Sequence, residues 1–129
     1  MTNLEQIRAQ HAFKAAAAVA PAKHKDYSSL AGNLPAMFQN NGLLATWAFL
    51  LSKHDKDQHS LMLQALLQHF QHEHFNLIDA GPLTPQKVFV DHWTHQNRYL
   101  NGEKLMQLTA EAVAFSGWLK RAAEALCNQ

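Results

Sequence analysis

Residues 34–53 read LPAMFQNNGLLATWAFLLSK, and the second half of this stretch decides the fold. Leu43, Leu44, Ala45, Trp47, Ala48, Phe49, Leu50 and Leu51 leave Thr46 as the only polar residue across more than two helical turns. A helix that is apolar on every side is buried all round, so this one is expected at the centre of the protein with the rest of the chain as its shell. At about eleven residues it is roughly half as long as a bilayer crossing requires. Other helices, not lipid, must therefore cover it.

Working upstream, Asn40, Asn41 and Gly42 end the preceding helix, because Asn and Gly tolerate the left-handed conformation common at helix C-termini. That helix is expected to begin near Asp26 or Tyr27, after a linker PAKHKD, and to turn Tyr27, Leu30, Ala31, Leu34 and Phe38 inward at helical spacing. Pro35 should kink it or restart it after Asn33. A first helix capped by Asn3, with Glu5 near its positive end, runs to about Ala20, where Pro21 stops it. Its wheel gathers Ala9, Ala12, Phe13, Ala16 and Ala20 on one face and Leu4, Arg8, His11 and Lys14 on the other.

Downstream, the central helix ends at Lys53 and His54, and Asp57 is a plausible cap for a helix with an inward stripe of Leu63, Leu66, Leu67 and Phe70. NLIDAGPLTP, residues 76–85, reads as a loop, with Thr84 and Pro85 forming a cap and first-turn pair. Phe89, Trp93 and Tyr99 or Leu100 would face inward from the next helix, and Asn101-Gly102 interrupts or recaps it. Leu105, Leu108, Ala112, Phe115, Leu119, Ala122 and Leu126 alternate steps of three and four, drawing a straight seam along the last helix. The fold class is all-α: one domain over residues 1–129, of five or six helices around the helix from Leu43 to about Ser52.

Composition narrows the function. Of 129 residues 47% are apolar and 16% charged, with a formal charge of +1, so charge alone does not indicate nucleic acid. It is unevenly placed: residues 1–53 hold Arg8, Lys14, Lys23, Lys25 and Lys53 against Glu5 and Asp26. The single Cys127 excludes an internal disulfide and points to a reducing, cytoplasmic setting. No targeting segment or membrane span is read from the N-terminal region.

Nine histidines invite a metal reading, densest at His69, His72, Glu73 and His74. On a helix, however, His72 and His74 point about 160° apart, and no H-E-x-x-H, di-iron carboxylate set or Cys pair accompanies them. A solvated helix end is the plainer reading, as it is for His92 and His95, and neither metal nor cofactor is expected. With no G-x-S-x-G elbow and no Gly-rich phosphate loop, the chain is not read as an enzyme. Trp47, Trp93 and Trp118 read as core anchors before base-stacking platforms. Lys53, Lys120 and Arg121 lie near helix C-termini, where dipole compensation competes with ligand binding as their role.

The series Tyr27-x-x-Leu30, Leu34-Pro35, Asn41-Gly42-Leu43-Leu44 and Ala48-Phe49-Leu50, with Leu108-Thr109-Ala110-Glu111-Ala112 and Trp118-Leu119-Lys120-Arg121-x-Ala123 downstream, resembles the small all-helical subunit of the type III-B CRISPR (Cmr) RNA-targeting effector complex. Both ends of the chain carry the resemblance, and residues 76–101 do not. It implies a noncatalytic scaffold whose copies stack into a short filament beside the backbone and large subunits and help hold target RNA along the guide. A sequence-independent grip needs only cations on a shared face; Arg8, Lys14, Lys23, Lys25, Lys53, Lys120 and Arg121 are the candidate RNA-binding residues. Two other readings stay open: a helical protein-interaction module without RNA contact, and a metal-binding bundle using His69, His72 and Glu73.

Overall fold

The computed structural model describes residues 3–53, 55–95 and 100–127; the expectations at His54 and Tyr99 lie outside them. Among the described residues the regular structure is helical. Helix α1, Leu4–Ala17, opens on Asn3, whose side chain accepts from the backbone N–H groups of Glu5 and Gln6. It ends three residues before Ala20, because a residue preceding proline is pushed out of the helical region and Ala20 is extended at ψ 142°. Ala20 is accordingly exposed, and Val19 is buried in its place.

The PAKHKD segment is not a simple linker: Pro21–Lys23 form one 3-10 turn, and α2, His24–Ser52, follows directly. Tyr27, Leu30, Ala31, Leu34 and Phe38 are all buried. The helix runs through Pro35 without a restart; its only non-helical residue is Gly42, at φ 84° and ψ 175°. That left-handed φ is open to glycine without the Cβ clash other residues meet, so the break falls at the Asn-Asn-Gly signal and not at the proline.

Beyond the break the burial differs from expectation. Leu43, Thr46, Trp47 and Leu50 are buried, whereas Ala45, Ala48 and Phe49 are exposed, Phe49 to 40%. The segment is therefore buried along one stripe at i, i+3, i+4 and i+7, and its far side is exposed among the described residues apart from a ring contact of Phe49 with His59. Thr46, the one polar residue, lies on the buried side, where its hydroxyl donates to the Met37 carbonyl at 3.0 Å and so avoids the cost of an unpaired buried group. Trp47 is fully buried; its indole N–H donates to the Pro85 carbonyl at 3.1 Å, and its ring lies 4.8 Å from Trp93 in a T-shaped contact.

Helix α3, Asp57–Gln71, buries Leu63, Leu66, Leu67 and Phe70. Asp57 is its first residue, not its cap, which is Lys56. The loop after α3 folds back through the Leu77 and Ile78 N–H groups onto the Phe70 carbonyl. Thr84 caps α4, Pro85–Lys87, by accepting from Lys87 N–H, and a π-helical turn, Val88–Trp93, continues it. Val88 and Trp93 are buried and Phe89 half-buried. Asn101 caps α5, Gly102–Leu126. Its seam is buried at Leu108, Ala112, Phe115, Leu119 and Ala122 but is exposed at Leu126; the last inward residue is Cys127, which is fully buried with Sγ 3.7 Å from the Ala16 carbonyl. The cysteine is thus in the core although it stands near the end of the sequence. Helix α5 packs chiefly on α2 and α1, and α3 chiefly on α2. No described helix is long and apolar enough to cross a membrane.

Candidate nucleic-acid interface

The seven candidate cations separate by what the fold has done with them. Arg8, placed on the outer face of α1 by its wheel, is drawn inward and its side chain is only 16% exposed. Its Nε and Nη2 donate to the two carboxylate oxygens of Glu111 on α5, each at 2.7 Å, and its Nη1 donates to Glu5 at 2.6 Å. Lys23 pairs with Asp57 at 3.0 Å on the surface. Arg121 is exposed but lies over Trp118, 5.3 Å from the ring, and donates to the Gly117 carbonyl. Trp118 is accordingly a half-exposed edge and not a core anchor; its indole donates to Glu5 at 3.0 Å. This hydrogen bond, with that from Arg8, holds the Glu5 carboxyl below its ordinary range.

Lys14, Lys25, Lys53 and Lys120 are exposed and have no carboxylate partner among the described residues. Lys53 caps α2, so dipole compensation applies there. Lys120 and Arg121 lie in the body of α5, which runs on to Leu126 with no basic residue in its last turn. The dipole explanation fades within the last turn and does not reach them.

Sequence reasoning missed the most organised polar feature. Glu111 and His69 are both buried, and His69 Nε2 lies 2.9 Å from Glu111 Oε2 while its Nδ1 lies 2.8 Å from His11 Nδ1. The His69 ring is stacked on Phe115 at 3.8 Å and sits 4.3 Å from Phe75. Burial pushes the His69 imidazole below its ordinary value, against the pull of Glu111. For Glu111, burial acts upward, but the hydrogen bonds from Arg8 and His69 and the Arg8 charge outweigh it, so the carboxyl is held low. Burial, helped by the neighbouring His69, His72, Lys14 and His74, takes His11 down to about 4.

One signal of this cluster was legible: Glu111 stands three residues after Leu108 and four before Phe115, inside the apolar stripe of α5. The set His69, His72, Glu73 does not converge on a point, since His69 is turned inward to Glu111 and Glu73 is exposed. The described residues hold no group of three His, Cys, Asp or Glu placed to share an ion.

Between α1 and α3 lies a groove of about 290 Å³ lined by His11, Lys14, Ala15, Ala65, Gln68 and His72, with His69 at its base. Among known proteins, residues 4–126 match the family model described as CRISPR-associated protein (Cas_Cmr5). A solved structure, the X-ray crystal structure of a CRISPR-associated Cmr5 family protein from Thermus thermophilus, is similar with a TM-score of 0.71 at 24% identity, over 97% of this chain and 98% of that chain. At that identity the likeness speaks to the fold.

Proposed function

The chain belongs to the CRISPR-associated Cmr5 family, the small subunits of the type III-B CRISPR complex, and we propose that it acts there without catalysis, stacking with copies of itself beside the backbone and large subunits and helping to hold target RNA along the guide in the cytoplasm. The observation that carries the RNA part is the contrast among its cations. Arg8 and Lys23 are already paired to carboxylates of the same chain, whereas Lys14, Lys25, Lys53 and Lys120 are exposed and unpaired among the described residues. Free surface ammonium groups suit a grip on phosphates that does not read sequence. The exposed apolar residues Phe49, Val90 and Met106 suit protein neighbours in such an assembly.

Replacing Lys14, Lys25, Lys53 and Lys120 one at a time by Gln, reconstituting the complex and titrating target RNA at several salt concentrations tests this reading. Each lysine that meets a phosphate should lower the logarithmic salt slope by roughly 0.7–0.9 without changing sequence preference. Wild-type affinity and slope in all four variants would leave a helical module that contacts protein only.

A further inference from the structure

The α1–α3 groove combines a built hydrogen-bond relay with one exposed ammonium group, Lys14, and the relay determines what each imidazole offers. Glu111 is ionised and accepts from Arg8 on both oxygens, so neutral His69 must direct its one N–H at Glu111 through Nε2. His69 Nδ1 is then a lone pair, and His11 must donate to it through Nδ1 across 2.8 Å. This leaves Nε2 as the unused nitrogen of His11, on a residue that lines the groove. A proton added at that Nε2 turns His11 into a cationic donor without disturbing the bond to His69. His72, whose ring lies 4.5 Å from that of His11, accepts the His74 N–H at Nδ1; when neutral it therefore carries its own N–H on Nε2.

The titratable groups around His11 are Lys14 on its own helix, His69 from α3, and His72 and His74 from the turn after it; Glu111 on α5 and Arg8 on α1 stand behind His69. Glu111 is already shared by Arg8 and His69, so the side of His11 toward the groove meets Lys14, His72 and His74 with no carboxylate among the lining residues. Burial is the first cause that keeps a proton off His11, and the neighbouring His69, His72, Lys14 and His74 add to it; an anion seated beside Lys14 and His72 would offset that repulsion and favour the protonated imidazole. Ala15 and Ala65 add a smooth apolar wall between these polar groups, and the volume is close to the small end of ligand pockets. We propose that this groove seats one nucleotide unit of RNA, with its phosphodiester on Lys14, His72 and protonated His11 and the adjoining ribose or base against Ala15 and Ala65. The inference rests on the RNA-holding role proposed above and gives it a location and a pH dependence.

Linkage sets the sign: an anion bound beside His11 raises its affinity for a proton, so binding strengthens as pH falls. The full-length chain should be titrated with the dinucleotide UpU, and separately with inorganic phosphate, while the histidine side-chain resonances are followed by NMR. UpU should shift His11 and His72, bind about fourfold more tightly near pH 6 than near pH 8, and raise the His11 titration midpoint. Lys14→Gln and His72→Gln should each weaken UpU by about three- to tenfold, with unchanged melting showing that the fold is intact. A response to inorganic phosphate without tighter binding of UpU would overturn the nucleotide seat, as would a UpU titration that leaves His11 and His72 unmoved or insensitive to pH. In the reconstituted complex, RNA retention that falls in Lys53→Gln and Lys120→Gln but not in Lys14→Gln or His72→Gln would remove the seat alone. No change in any of these four or in Lys25→Gln would remove the RNA-holding role with it.

Discussion

Helix α5 meets the rest of the molecule in two different ways. Into the apolar core it brings Leu108, Ala112, Leu119 and Ala122, all fully buried, and stability there comes from apolar area removed from water, about 25 cal/mol per Å². Toward α1 and α3 it brings Glu111, which joins Arg8, His69 and through it His11. A hydrophobic seam tolerates small shifts at modest cost, whereas a buried ionic relay has one satisfied geometry and is costly in every other. The first region therefore supplies most of the cohesion, and the second specifies how α1 docks.

The largest effect should come from the hydrophobic side. Trp47 is fully buried against Trp93 and Phe70, with its N–H bonded to the Pro85 carbonyl. Trp47→Ala should cost ~3–5 kcal/mol, read by urea unfolding. A loss below about 1 kcal/mol would mean that the surrounding rings collapse into the space and that this region is less closely packed than its burial indicates.

Glu111→Gln tests the other region. The amide cannot neutralise Arg8, which keeps its charge at 16% exposure, and it offers one acceptor where two oxygens served three donors. We expect a loss of about 2–3 kcal/mol, smaller than for Trp47. The concerted replacement Arg8→Met, Glu111→Leu, His69→Leu should recover most of that loss, because no charge is then left buried without a partner. A triple variant as unstable as Glu111→Gln would show that the relay contributes net cohesion and not only geometry.

These two regions were not equally legible. Periodicity identifies residues that share a face, which is why Leu63, Leu66, Leu67 and Phe70 on α3 and the middle of the α5 stripe, from Leu108 to Ala122, are buried as read, while Leu105 is half-buried and Leu126 exposed. Turn chemistry placed the break at Gly42 and the caps at Asn3, Thr84 and Asn101. Apolar composition does not, however, tell how many neighbours a helix has. Ala45, Ala48 and Phe49 are apolar like Leu43 and Leu50, yet they are exposed, and among the described residues Phe49 meets only the His59 ring at an aromatic contact. The relay was hidden for another reason: Glu111 stood out within its stripe, but its partner Arg8 is 103 residues away, and no local pattern links them. The burial of Cys127 was not legible either, because distance from the end of a sequence says little about burial when the last helix packs along its length.

A pH titration of stability should separate the two regions by about 1 kcal/mol. The folded state lowers the proton affinity of His69, and of His11 to about 4, so the unfolded chain binds more protons below the ordinary histidine value of about 6.5. Stability is then fully present above about pH 6.5 and declines as pH falls toward 4; Glu111, also held low, extends the decline to still lower pH. Because His11 is partly exposed, its share is reduced by solvent screening, to the order of 1 kcal/mol. The titratable groups of the hydrophobic core, Tyr27 and Cys127, are both pushed up by burial and stay protonated through the acid range, so Trp47→Ala should lower this part of the curve without changing its shape. Removing His11 and His69 together should flatten the acid limb.

The smallest effect sharpens the comparison from within one helix. Phe49 is two residues from Trp47, but its side chain lies on the uncovered side of the same segment, 40% exposed and in a T-shaped contact with His59 5.7 Å away. A helix pointing both aromatics into one core would lose comparable stability from either truncation. With the observed stripe, Phe49→Ala removes only partial burial and one ring contact, and surface changes of this kind stay near 0.5 kcal/mol, with about 1 kcal/mol as the upper end. In the isolated chain its unfolding midpoint should thus stay close to wild type while that of Trp47→Ala falls far below it. A loss from Phe49→Ala approaching that of Trp47→Ala would return the segment to burial on all sides. It would also withdraw its outer face from the surfaces available to neighbouring subunits.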